Sequence, residues 1–312
     1  MAEVEIRKAF CEKLQEIARK DKRLVILESD LMSSSGTKPF FQEFPERAIN
    51  VGIAEANMVG IASGLCLEGF IPFATTFGIF ASRRVFDQFF LSANYAKLNV
   101  KLVGSDPGVS ATYNGGTHMP FEDVGLMRMI PNLVIAEPSD ATSASAFDEL
   151  FFNHYGSTYL RLHRKARPLI YGADEKFEIG RSKILRDGGD ITLISLGSVM
   201  LEQVLLASDE LEKIGIKATV IDSLTVKPFD REMVIREAKK TGHLITCENC
   251  NIVGGIGSEV SDIITDEGLT CKLGKIGIQD RFGQVGSLDY LINDYGLSAK
   301  HIVEKAKALL KK

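Results

Sequence analysis

Glu55 is a carboxylate set among Gly52, Ile53, Ala54 and Ala56, where a short apolar segment gives way to a helix of small residues. A carboxyl held there is poorly hydrated, which suits it to sharing a proton with the ring nitrogen of a heterocycle. The plainer alternative is a first-turn charge favoured by the helix dipole. Phe70, Phe73, Phe77 and Phe80 follow at once; they are either core packing or, together with the carboxylate, a clamp for a flat ring. His118 lies near the end of DPGVSATYNGGTHMP (106–120), whose many turn formers argue against a helix or strand and favour an active-site loop. A histidine after Gly-Gly-Thr on such a loop is better placed to reach a substrate than to pack in a core. Arg161, Arg164, Lys165 and Arg167 form a short basic cluster, either a solvated strand edge or an anion site.

The elements that must position these groups follow from spacing. Ala9, Phe10, Leu14, Ile17 and Ala18 mark an amphipathic helix from about Glu5 to Arg19, and LVILESD is a near-continuous apolar strand ending at Asp30. The polar segment LMSSSGTK then falls beyond a strand's carboxyl end, where open α/β sheets bind ligands. AINVG, FIPFATTF, VKLVGSD, NLVIAEP and TYLRLHR read as further strands with helices between them, which implies a doubly wound, mostly parallel sheet. In the helix that begins near Glu55, Gly60 and Gly64 leave the surface thin enough for another backbone to approach. The expected organisation is a first domain at 1–167, a linker at 168–187 and a second α/β domain at 188–312. The second half repeats the alternation through DITLISLGS, KATVIDS, HLITCEN and CKLGKIGI, with a closing helix at 298–310.

Three strings, GIAEANMVGIASGL, GFIPFATTFGIFASRRVFDQ and NGGTHMPFEDVGLMRMIPNLVIAEPSD, together resemble the pyrimidine-binding domain of transketolase and its relatives. LTVKPFD and NIVGGIGSEV are similar to that family's C-terminal domain, which is remote from the chemistry. The resemblance implies a thiamine diphosphate-dependent enzyme that moves a two-carbon ketol unit from a ketose to an aldose. It implies that Glu55 hydrogen-bonds the cofactor's aminopyrimidine, that Phe77 and Phe80 stack on it, and that Asp30 lies at the cofactor. It further implies that His118 contacts the donor, that Asn114 lies on the substrate loop, and that Arg7, Ser34 and Arg164 grip an anionic end group. Three positions depart from the family: Arg83 stands where a tyrosine is frequent, Asn114 where an aspartate commonly reads donor hydroxyls, and Ser105 near a phosphate-binding histidine. The sugar is therefore either a pentose phosphate type or a modified, for example sulfonated, sugar.

The chain has no GDG motif for diphosphate and metal, so the resemblance covers only the last two domains of a complete enzyme. It implies a separate transketolase N-terminal subunit that binds most of the diphosphate and a Mg2+ or Ca2+ ion, with two copies of each chain. The beta subunit of a 2-oxoacid dehydrogenase has the same layout and is the rival within the cofactor class; a catalytically silent assembly subunit is the rival outside it.

Composition agrees with a folded enzyme. With 312 residues, 45% hydrophobic and 25% charged, the chain is long enough for two globular domains. A formal charge of −4 without a dense basic stripe argues against nucleic acid as the main partner. The acidic N-terminal segment and the lack of a long apolar run predict a cytoplasmic protein without membrane contact. Five cysteines fit free thiols in a reduced compartment, and Cys247 and Cys250, placed in a turn after a strand, lack the two further ligands of a zinc site.

Overall fold

The computed structural model describes residues 3–311; the outermost residues of the expected domains, 1, 2 and 312, lie outside this range. It is an α/β protein of two compact units, one comprising 1–107 and 126–179, the other 108–125 and 180–312.

In the first unit, strands β1 (Glu3–Glu5) and β8 (Ala166–Pro168) form a small antiparallel ribbon. The remaining strands are β2 (Leu24–Glu28), β3 (Ala48–Asn50), β4 (Ile71–Phe77), β5 (Lys101–Ser105), β6 (Val134–Ala136) and β7 (Thr158–Leu162), in the spatial order β6-β7-β5-β4-β2-β3 and parallel throughout. β2, β4, β5 and β7 are buried along their whole length, as strands covered on both faces must be; β2 is almost wholly apolar, whereas β5 and β7 also bury Lys101 and Arg161. The helix Ile6–Lys20 buries Ile6, Phe10, Leu14 and Ile17, recurring at three and four residues. Parallel order places every strand's carboxyl end on one edge of the sheet, where open α/β sheets receive ligands.

Two local readings change. LMSSSGTK is not all loop: Met32–Ser35 forms one helical turn, closed by Gly36 at φ +81°. Arg161, read as part of a basic cluster with a solvated edge as one alternative, is completely buried and ion-paired to buried Glu137. A strand residue in the interior of a covered sheet has no solvated side, so its charge is met by the neighbouring strand's end.

The second unit contains β9 (Lys183–Arg186), β10 (Ile191–Leu196), β11 (Ala218–Asp222), β12 (Thr225–Lys227), β13 (His243–Asn251) and β14 (Lys272–Ile278). Five of these make a sheet ordered β14-β13-β10-β11-β9, in which only β9 runs antiparallel. β9 falls in the segment read as a linker. Cys247 and Cys250 lie on β13, not in a turn, and both are buried free thiols. Burial pushes the Cys247 thiol well above its usual range, so it is held as an unreactive thiol.

Between these cysteines, Glu248 accepts hydrogen bonds from the backbone N–H groups of Ile256 (2.6 Å) and Gly257 (3.0 Å), closing the start of the helix Ile256–Asp266. A Cβ at Gly255 would stand 1.9 Å from the Glu248 Oε2, and Gly254 adopts φ +80°, which together explain the glycine pair before this helix. The same strand anchors the loop that carries His118: Asn249 Oδ1 accepts from Val109 N at 2.9 Å, and Asn251 N donates to Phe121 O at 2.7 Å.

Candidate active site

The helix Glu55–Leu67 begins five residues after β3 and carries Glu55 in its first turn, 2% exposed. Both oxygens of that carboxylate lie 2.8 Å from Arg84 Nη1. The Arg84 guanidinium carbon stands 3.9 Å from the centroid of the Phe80 ring, within the range of a cation–π contact. Phe80 meets Phe77, the last residue of β4, at 6.1 Å with the rings tilted by 52°. Arg164 stands 5.0 Å from the Phe77 centroid.

Arg164 follows β7 by two residues and is clamped at the sheet edge. Its Nε donates to Asp106 Oδ1 at 2.7 Å, its Nη2 donates to Asp106 Oδ2, and its Nη1 donates to the Ser34 carbonyl at 3.3 Å. Arg7 Nη1 donates to that same carbonyl at 3.0 Å. Asp106, one residue beyond β5, supplies Arg164 with a buried carboxylate. One line of direct contacts therefore runs Glu55, Arg84, Phe80, Phe77, Arg164, Ser34, Arg7, all at or beyond strand ends of the first unit.

Arg84, a member of that line, and Asp106, the partner of Arg164, were missed in sequence. Arg84 follows Ser82 and Arg83 in FASRRVFDQ and Asp106 sits among the turn formers SDPG, so neither charge stands out from its local pattern. Asp30 is exposed at the end of β2 with φ +60°, its backbone N–H donating to Asn50 Oδ1 at 3.0 Å and its Oδ1 accepting from Asn50 Nδ2 at 3.1 Å. Ser105 is buried and donates to Thr76 O at 3.4 Å. Arg83 is exposed. His163, next to Arg164, is buried and pushed down to about 3 by burial and by Arg167, so it stays neutral and serves no proton transfer at ordinary pH.

His118 and Asn114 belong to the second unit. His118 is half-buried, with Nδ1 2.9 Å from Thr117 Oγ1, and Asn114 is exposed. The Gly-Gly between them is required: Gly115 adopts φ +77°, and a Cβ on Gly116 would stand 2.1 Å from the Gly283 carbonyl oxygen. Among the described residues, no group of three or more His, Cys, Asp or Glu side chains is arranged to hold a metal.

The family models for the transketolase pyrimidine-binding domain and the transketolase C-terminal domain match residues 2–168 and 180–302. The chain belongs to the transketolase family. It is 46% identical to a 6-deoxy-6-sulfo-D-fructose transketolase subunit from Clostridium sp., covering 96% of this chain and 93% of that one. It is 38% identical to a putative transketolase C-terminal section from Methanocaldococcus jannaschii, covering 98% and 96%. A solved structure described as a split-gene transketolase, inactive beta4 tetramer, superposes with a TM-score of 0.91 at 36% identity over 98% of both chains. The chain is thus a transketolase-type subunit of the split kind, in a family that depends on thiamine diphosphate. No helix among the described residues is long and apolar enough to cross a membrane.

Proposed function

We propose that this chain is the pyrimidine-binding and C-terminal subunit of a two-chain, thiamine diphosphate-dependent transketolase of the cytoplasm. It moves a two-carbon ketol unit from an anionic ketose to an aldose, and a separate chain binds the diphosphate and its Mg2+ or Ca2+ ion. The observation that carries this reading is the contact line from buried Glu55 through Arg84, Phe80 and Phe77 to Arg164, Ser34 and Arg7: an acid, two aromatic faces and three guanidinium groups in one row.

These residues fit the cofactor's ring. A carboxyl of low hydration beside tilted phenyl rings suits an aminopyrimidine, the carboxyl holding a proton at the ring nitrogen while the rings cover its faces. Thiamine diphosphate, when bound, supplies the carbon acid that accepts the ketol unit. For Glu55 to reach a ring nitrogen, its contacts with Arg84 Nη1 must open, and the 44% exposure of the Arg84 side chain leaves it room to swing outward. His118 on its glycine-shaped loop holds the donor's oxygen, with Asn114 on the same loop. Arg7, Ser34 and Arg164 orient the donor's charged end. The Clostridium relative is named for a sulfonated ketose, which supports either a sulfonate or a phosphate as that end group.

The test is reconstitution. Mixed with a partner chain carrying a GDG-containing first half, thiamine diphosphate and Mg2+, the pair should transfer a two-carbon unit between sugars, and neither chain alone should. Two copies of each chain are expected by mass measurement. Carbon dioxide release from a 2-oxoacid without ketol transfer would favour the dehydrogenase reading, and robust transfer by this chain alone would overturn the two-chain one.

A further inference from the structure

We propose that Asn249 and Gly283 are positioning residues for the reaction: they mount the loop 108–121 on the second unit, so that the C-terminal domain sets the place of His118. The inference rests on the reading that His118 holds the donor's oxygen.

The mount has three points. Val109 N donates to Asn249 Oδ1 at 2.9 Å and Asn251 N donates to Phe121 O at 2.7 Å, so His118 lies between two hydrogen bonds to alternate residues of β13. The pairing of β13 with β14 shifts register between Cys247 and Asn251, and such an irregularity re-aims the side chains within it. Asn249 is completely buried there, and a Cβ on Gly108 would stand 2.2 Å from its Oδ1 and 2.1 Å from its backbone oxygen. The loop's backbone therefore rests directly on this residue. Gly283 is the third point: a Cβ on it would stand 2.6 Å from the Cα of Gly116, which lies just before Thr117 and His118. Glycine faces glycine at that contact, and no side chain fits between them.

A loop of this shape needs outside support. Gly108, Thr112 and Gly115 all have positive φ, and Thr112, a β-branched residue at φ +47° and ψ −114°, lies outside the regions that such side chains ordinarily occupy. Conformations of that kind persist only where the surroundings over-determine them. Val109 is buried, so without the Asn249 oxygen its N–H would favour any rearrangement that finds another acceptor. A shift at Val109 is passed along the loop, because Gly115 N donates to Thr112 O at 3.1 Å and His118 N donates to Gly115 O at 2.9 Å, linking the turns in series. Displacing a substrate-holding group by about 1 Å costs about a hundredfold in rate.

The experiment uses the reconstituted pair with thiamine diphosphate and Mg2+, and follows kcat/KM for hydroxypyruvate as donor with ribose 5-phosphate as acceptor. Asn249→Ala and Gly283→Ala should each lower it by about ten- to a hundredfold, while thiamine diphosphate affinity changes by less than about twofold. In a His118→Ala background neither should lower it further, since a histidine that is absent cannot be misplaced. A second full loss in that background, or no loss from either single variant, overturns the inference. If Asn249→Ala does not fold, Gly283→Ala decides by the same two comparisons, because its added methyl presses on the loop and leaves the buried strand end intact. If His118→Ala loses activity while Asn249→Ala and Gly283→Ala do not, the reading of His118 stands and only the mount fails. No loss in His118→Ala, or no transfer by the wild-type pair, fails the underlying reading, and the inference with it.

Discussion

Arg84 lies between the acid and the ring: its Nη1 is 2.8 Å from both oxygens of Glu55, while its guanidinium carbon stands 3.9 Å from the Phe80 centroid. One flat cation thus makes a carboxylate contact and an aromatic stack at once, the two contacts that the proposed cofactor ring would need.

This pairing predicts a measurable coupling. Arg84→Met should destabilise the isolated chain by about 1–3 kcal/mol, because it leaves a buried carboxylate without its cation, the half-exposed arginine moderating the loss. Glu55→Gln should relieve that loss, so the double variant should be more stable than the sum of the single effects predicts. Denaturant midpoints of the four proteins decide it, and strict additivity would show that the contact is not populated in solution. In the reconstituted pair, Glu55→Gln alone should lower ketol transfer by orders of magnitude, since glutamine fills the space without sharing a proton.

Glu28 makes stability depend on pH. It is fully buried at the end of β2, where Oε1 accepts from Ser35 Oγ at 2.5 Å and Thr37 Oγ1 at 2.6 Å, and Oε2 has no hydrogen-bond partner among the described residues. Burial raises its pKa from 4.5 to about 7 despite the two hydroxyls. The folded state therefore holds a proton that the unfolded state releases between those values. Stability from this group is full below pH 4.5, falls as pH rises to about 7, and is flat above, a span of roughly 3 kcal/mol. Glu28→Gln should flatten the melting temperature across that window; an unchanged slope would assign the pH dependence elsewhere.

The fold was legible because its elements are regular where they are buried. A near-continuous apolar run announced β2, short apolar-rich segments bounded by turn formers announced β4, β5 and β7, and three- and four-residue spacing announced the helix Ile6–Lys20. Glu55 stood out for its apolar setting. Its partner did not, because Arg84 is 29 residues away, and Asp106 is 58 residues from Arg164. Such pairs are fixed by which strand ends become neighbours, and local pattern holds no record of that order. Arg161 left a solvated edge open as a reading for the same reason: its counter-charge, Glu137, arrives from the adjacent strand's end.

Gly60 and Gly64 should matter for assembly rather than for folding of the single chain. A Cβ at either meets nothing within 4 Å, although the helix that carries them is apolar and leaves Leu67 exposed. Gly64→Ala should raise the stability of the isolated chain by about 0.5–1 kcal/mol through helix propensity alone. Gly64→Leu should leave the chain folded and lower the mass of the assembly measured by light scattering. An unchanged mass would place the subunit contact elsewhere.

Arg164 is both a substrate group in the proposed reaction and the counter-charge of a buried acid, so its removal should show two separable effects. Arg164→Ala deletes three hydrogen bonds and strands the Asp106 carboxylate in a nearly dry site. Breaking such a pair from one side destabilises by about 3–5 kcal/mol, because the orphaned charge keeps its desolvation penalty. Asp106→Asn combined with Arg164→Ala removes that charge and should recover most of the lost stability, since an amide needs no counter-ion. Activity should not recover with it. In the reconstituted pair, the double variant should remain roughly ten- to a hundredfold lower in kcat/KM for an anionic donor, the value of a lost charge-assisted contact, while a short donor without a charged end group should react near normally. Stability and anionic-donor activity rising together in the double variant would mean that Arg164 acts only through Asp106. Equal losses on charged and uncharged donors would make Arg164 a purely structural residue of the sheet edge.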